Sequence, residues 1–168
     1  GSAGTVSVYT DGPEGAGGTP LLLVHSVNAA AAAHEIRPLY EHYRTLRPVY
    51  APDLPGFGFS ARTAGPYLPR RMTDALLDVV AEIRRAHGDV PIDALAVSLA
   101  AEFLARAAAE SPADFRTLAL VSPTAFGRGA PYDGPPESNR GTPGVLRALT
   151  LPVGGRLLFR ALTSRPSI

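Results

Sequence analysis

Short apolar runs alternate with amphipathic windows along most of this chain, and that alternation sets its architecture. Val6-Ser7-Val8-Tyr9 reads as a first strand, closed by a Gly/Pro-rich turn over 11–19. The run Leu21-Leu22-Leu23-Val24, ending at His25, shows no polar alternation, which predicts a parallel strand buried on both faces. Ile36, Leu39, Tyr40 and Tyr43 fall at i, i+3, i+4 and i+7, the stripe of a helix that tolerates Pro38 only in its first turn. Val49-Tyr50-Ala51 predicts a second buried strand, stopped by Pro52. Met72, Leu76, Val79, Val80 and Ile83 mark another helix, closed by His87-Gly88 with Arg84 and Arg85 in its last turn. A strand over Ile92–Val97, an Ala-rich helix over Leu99–Ala109 and a strand over Leu118–Val121 follow.

The order β-β-α-β-α-β-α-β predicts an α/β fold, with right-handed crossovers onto a mostly parallel sheet covered by helices on both faces. Residues 1–126 carry this core. From Gly127 to Ile168, seven Gly and six Pro fall in 42 residues, so no further sheet strand is expected there. What helix exists is placed at Val145–Thr150 and Gly155–Thr163, with Leu146, Leu149, Leu157, Leu158, Phe159 and Leu162 as its apolar positions.

A length of 168 residues suits about one domain. Net charge is +1 and all 16 basic residues are Arg, so no excess positive field exists to hold nucleic acid. Cys is absent, which excludes disulfides, thiolate metal sites and Cys nucleophiles, and no His-x-x-His or His/carboxylate cluster suggests a metal. No apolar run approaches the roughly 18–20 residues needed to span a bilayer. A cytoplasmic protein without a cofactor is the expectation.

One junction carries chemistry. In Ala94-Leu95-Ala96-Val97-Ser98-Leu99-Ala100-Ala101, a serine lies between a predicted strand and a predicted helix. Held on a sharp turn there, its Oγ is exposed at the carboxyl edge of the sheet, beside a helix N-terminus that favours a developing anion. The strained backbone of such a turn requires small flanking residues, and Ala96 and Ala100 are the smallest after Gly. By itself Ala-x-Ser-x-Ala is a weak pattern in an Ala-rich chain, where Ser98 equally reads as a helix N-cap.

Two further landmarks occur in order before it: the apolar strand ending at His25-Ser26-Val27-Asn28, and the loop Asp53-Leu54-Pro55-Gly56-Phe57-Gly58-Phe59-Ser60. With these, the chain from about Leu21 to Phe126 resembles the α/β-hydrolase fold family. The resemblance implies Ser98 as nucleophile and the N–H groups of Leu99 and Val27 as an oxyanion hole. It implies that His25 braces the oxyanion loop and is not the base. Ser26 stands where the family usually has Gly, and either narrows the pocket, offers a hydroxyl to substrate or re-aims the Val27 donor. Asn28 either lines the pocket or caps the loop. His34, His42 and His87 read as solvent or capping positions. Asp53 is expected to shape its turn, and Phe57 and Phe59 to pack core or form a pocket wall.

The family's triad runs Ser, Asp or Glu, then His. Here no acid follows the Leu118–Val121 strand directly, the only later carboxylates are Asp133 and Glu137, and no His follows His87. The expectation is therefore an α/β-hydrolase fold incomplete at its C-terminus. Residues 127–168 would begin the lid or cap, and on the order of 60 further residues, or two more β-α units, would be missing. The uncovered sheet edge invites pairing with a C-terminal fragment of the same protein or with a homo-oligomer mate. In complete form the reading is an esterase-like serine hydrolase acting on a small acyl substrate, with relatives that run carbon–carbon bond hydrolysis or acyl transfer. The alternatives are a non-catalytic binding or assembly protein of this fold, and a lipid-surface enzyme using Leu157, Leu158 and Phe159 beside Arg156 and Arg160.

Overall fold

The computed structural model describes residues 4–13, 18–64 and 67–124. Five strands form one sheet: β1 (Val8–Asp11), β2 (Leu21–Val24), β3 (Val49–Pro52), β4 (Ile92–Val97) and β5 (Phe115–Val121). Their spatial order is β1-β3-β2-β4-β5. All neighbours run parallel except β1, which pairs antiparallel with β3. The connections are α1 (Arg37–Tyr43, led by a 3-10 turn over Ala33–Ile36), α2 (Pro69–Ala86) and α3 (Ala100–Glu110).

Alternation along β2 divides the core. Leu22 and Val24 join Ile92, Ala94 and Ala96 of β4 under α2 and α3, which supply Leu76, Val80, Ile83 and Leu104. Leu21 and Leu23 face the other way, with Val49, Ala51 and Ile36, against Leu39, Tyr40 and Tyr43 of the α1 segment. Successive side chains of a strand point to opposite faces, so an all-apolar strand requires a helix layer on each. The expected helices on both faces are present.

Several boundaries shift. The first strand begins at Val8, not Val6, and runs to Asp11, because its limits follow the antiparallel ladder from Val8↔Pro52 to Asp11↔Val49. The strand β2 stops at Val24, and His25 opens the next loop. The last strand begins three residues earlier than its apolar run, at Phe115, because Arg116 and Thr117 both bond to buried Asp93 of β4. Such a polar extension carries no hydrophobic period. The helix expected over Leu99–Ala109 spans Ala100–Glu110.

The topology also contains a switch point. From β2 the chain crosses to β3 on one side through α1, and from β3 it returns through α2 to β4 on the other side of β2. The carboxyl ends of β2 and β4 therefore flank the point where the winding reverses, the place where open α/β sheets bind ligands. Among the described residues no helix is long and apolar enough to cross a membrane. The expected lid over 127–168, its two helices, Asp133, Glu137 and the Arg156–Arg160 apolar cluster lie outside the described residues.

Candidate active site

Parallel pairing of β2 with β4 sets Val24 beside Ala96, so the segments that leave these strands, His25-Ser26-Val27 and Ser98-Leu99, emerge side by side at one edge. Ser98 has φ +57, in the left-handed region that a side chain enters only at a cost. Its N–H is tied to the Val121 carbonyl at the end of β5 (2.9 Å), and its own carbonyl accepts the Ala101 N–H (3.1 Å). Ala96 and Ala100 are both fully buried, so the turn tolerates no larger residue on either side without displacing core. Leu99, not Ser98, occupies the N-cap of α3, and no side chain caps that helix. The reading of Ser98 as a helix cap is therefore set aside: its hydroxyl has no hydrogen-bond partner among the described residues.

His25 is fully buried. The Leu54 N–H donates to its Nε2 (3.0 Å), which must then be the unprotonated nitrogen, so Nδ1–H donates to the Ser26 carbonyl (2.6 Å). Burial pushes the His25 pKa below its ordinary value, against the opposing pull of that carbonyl and of the Asp53 and Glu35 charges. With both ring nitrogens engaged, His25 is a brace. The bond has a geometric consequence: no peptide among the described residues is cis, and in a trans peptide the C=O and the following N–H point in opposite directions. Fixing the Ser26 carbonyl toward His25 thus turns the Val27 N–H away from it. Neither the Val27 nor the Leu99 N–H has a hydrogen-bond partner among the described residues.

Ser26 and Asn28 are engaged within the loop itself. Ser26 donates its N–H to Glu35 Oε2 (2.7 Å) and its hydroxyl to Glu35 Oε1 (2.8 Å), and Asn28 Nδ2 donates to Ser26 Oγ (2.8 Å). Asn28 Oδ1 in turn accepts the Ala30 N–H (2.9 Å). Nothing in the sequence pattern singled out Glu35; an acid nine residues after a serine has no periodic signature.

Asp53 reaches further than its own turn. Fully buried, it accepts the Phe59 N–H (2.8 Å), the Ala33 N–H (2.8 Å) and the Tyr9 hydroxyl (3.3 Å), joining its loop to β1 and to the turn before α1. Gly58, at φ +47, passes so close that a Cβ there would land on the Asp53 carboxylate. The two phenylalanines divide: Phe57 packs on the α2/α3 side of the core, edge-on to His25 at 5.5 Å, while Phe59 is 64% exposed. His87 does more than cap α2, since its Nε2 meets the Tyr50 hydroxyl of β3 at 2.7 Å. Among the described residues no three His, Cys, Asp or Glu side chains gather as a metal site.

Chemically, this edge offers a strained serine with an open hydroxyl and amide donors free to meet a negative oxygen. Comparison with solved structures agrees with the fold. An alpha/beta hydrolase fold protein from Burkholderia ambifaria superposes with TM-score 0.60 at 19% identity, over 86% of this chain and 46% of that one. A thermophilic esterase from Thermogutta terrifontis gives TM-score 0.61 at 19% identity, over 86% and 45%. A putative lipase from Acinetobacter baumannii gives 0.61 at 23% identity, over 75% and 40%. This chain thus spans less than half the length of these structures. A search of curated proteins gave no match. The family model for the alpha/beta hydrolase fold matches residues 19–147, and on that match, over a sheet wound in this order, the chain belongs to the alpha/beta hydrolase fold family.

Proposed function

We propose that this chain carries the nucleophile half of an esterase-like serine hydrolase. The observation that bears most weight is Ser98: a non-glycine residue at φ +57, between β4 and α3, at the switch point of an alpha/beta hydrolase family sheet. In this reading Ser98 Oγ attacks the carbonyl carbon of a small acyl substrate, and the Val27 and Leu99 N–H groups receive the oxygen as it becomes anionic. The tetrahedral intermediate collapses to an acyl-Ser98 and releases the alcohol; water then adds to the acyl carbon, the bond to Ser98 Oγ breaks with a proton returning to that oxygen, and the carboxylic acid leaves. In the same reading Asn28, which holds Ser26 Oγ and the Ala30 N–H, keeps a second Nδ2 hydrogen that a substrate could meet.

No histidine in positions 88–168 exists to take the Ser98 proton. His25 is committed to the loop and His87 to Tyr50. His34 and His42 form no hydrogen bond with Ser98 among the described residues either, so this reading needs a general base, and an acid to orient it, that none of the four histidines supplies. The test is covalent capture. The folded protein is treated with a fluorophosphonate, with imidazole as a diffusible base, and the adduct is mapped by mass spectrometry. The expected result is one adduct on Ser98, lost in Ser98→Ala and in denatured protein. A folded protein that takes no adduct at Ser98 overturns the reading and leaves a non-catalytic binding protein of the same fold.

A further inference from the structure

The loop after β2 is held from both sides of residue 26. On one side, His25 Nδ1–H fixes the Ser26 carbonyl. On the other, Glu35 takes the Ser26 N–H and hydroxyl on its two carboxylate oxygens, at 2.7 and 2.8 Å. With N–H and C=O both anchored, neither backbone torsion of residue 26 is free. The next peptide plane is then set, and with it the direction of the Val27 N–H.

We propose that Glu35 is a positioning residue for the acyl-transfer site, acting through Ser26 to aim the Val27 N–H. The proposal rests on Ser98 being the nucleophile. Glu35 is itself placed by the fold: it sits in the 3-10 turn Ala33–Ile36, whose first N–H is held by buried Asp53 and whose Ala33 and Ile36 are buried. The carboxylate thus reaches Ser26 from an anchored backbone. The same bonds answer what a serine does at position 26. Its proton is spent on Glu35 and its oxygen accepts from Asn28, so it serves the loop and not the substrate. Charge assistance makes such bonds stronger than neutral ones, and a bidentate grip adds direction as well as strength.

Glu35 is exposed on its outer side, so its removal opens no core cavity and the variants are expected to fold. The experiment combines amide hydrogen exchange with fluorophosphonate capture on the 168-residue chain, imidazole present, for wild type, Glu35→Ala, Glu35→Gln and Ser26→Gly/Glu35→Ala. Ser26 amide exchange is expected to accelerate at least about tenfold in Glu35→Ala, because the donor loses its only acceptor, and less in Glu35→Gln, which keeps one oxygen. The β4 amides hold their rates. Capture of Ser98 falls about tenfold or more, as when one oxyanion donor is lost, and adding Ser26→Gly produces no further loss, since the two residues act as one unit. Capture unchanged in Glu35→Ala, or Ser26 exchange unaltered, overturns the positioning role while leaving the nucleophile intact. A wild-type protein with no adduct overturns the nucleophile reading instead, and the positioning role falls with it.

Discussion

The two edges of the sheet are built on opposite terms. At the amino edge, Asp93 near the start of β4 is buried and receives Arg116 through two nitrogens (2.8 and 2.5 Å), Thr117 (2.6 Å) and Arg47 (2.5 Å). These partners come from β5 and from the residue that leads into β3, so one carboxylate ties together three segments, although Arg47 Nε is left buried without an acceptor. The Arg116 bonds first, then those from Thr117 and Arg47, hold its carboxyl well below the usual carboxylate range against the opposing effect of burial. At the carboxyl edge the same strand is followed by a serine at φ +57 whose hydroxyl, like the Val27 and Leu99 N–H groups beside it, has no hydrogen-bond partner among the described residues. One edge spends its polar groups on holding strands in place; at the other, the Ser98 hydroxyl and the Val27 and Leu99 amides stay open among the described residues. Strain and unmet hydrogen bonds are tolerated at a site because the rest of the fold over-determines it.

That contrast is breakable. Asp93→Ala strands the partly buried Arg47 and removes the tie, with an expected loss of about 3 kcal/mol in urea unfolding. Capture at Ser98 under native conditions should survive it, and a variant that loses capture while still folded would show that the two edges are coupled. The sign with pH follows from the depressed pKa: the stability Asp93 supplies is present above its unfolded value of 3.8 and is lost as pH falls below that value.

Gly58→Ala places a methyl group against the Asp53 carboxylate at a positive φ, and about 2 kcal/mol of destabilisation is expected, read by thermal unfolding. It sharpens the comparison because Asp53 is a tie, but one at the carboxyl edge; capture at Ser98 should fall with it through the Ala33 and Phe59 anchors. Ser98→Gly tests the strain directly. Glycine enters the left-handed region freely, so this variant should gain about 1 kcal/mol while losing all capture, whereas Ser98→Ala should lose capture without the gain. Equal stabilities for the two variants would mean that the serine turn stores nothing.

The smallest effect concerns His25. Its pKa is lowered, chiefly by burial, so below pH about 6.5 the unfolded chain binds a proton that the folded ring refuses, and stability declines on acidification. The ring 15N shifts should report neutral His25 with the proton on Nδ1 at neutral pH, and a proton on Nε2 there would contradict the Leu54 N–H to Nε2 bond.

Much of this was legible along the chain. The unbroken apolar run Leu21–Val24 and the stripe Met72, Leu76, Val79, Val80, Ile83 specify a buried strand and a one-faced helix because burial imposes its own period on sequence. The strand Ile92–Val97 is where its residues place it, and Ser98 follows it directly. Less visible were the polar ties. Nothing in the string connects Glu35 to Ser26, Asp93 to Arg47 and Arg116, or Tyr50 to His87, since each pair is joined across elements and a single polar residue carries no periodic mark.

The sequence by itself determined the layers: which stretches are strands, which helices, and that a serine stands at a strand-to-helix turn between small residues. Only the tertiary structure decided the winding order β1-β3-β2-β4-β5, which brings the ends of β2 and β4 together, and the state of His25, whose tautomer depends on what donates to it from Leu54, 29 residues away. The reason is physical. Hydrophobic burial is read locally and repeats, whereas a hydrogen bond exists only once two distant groups have been brought to within about 3 Å with their directions matched.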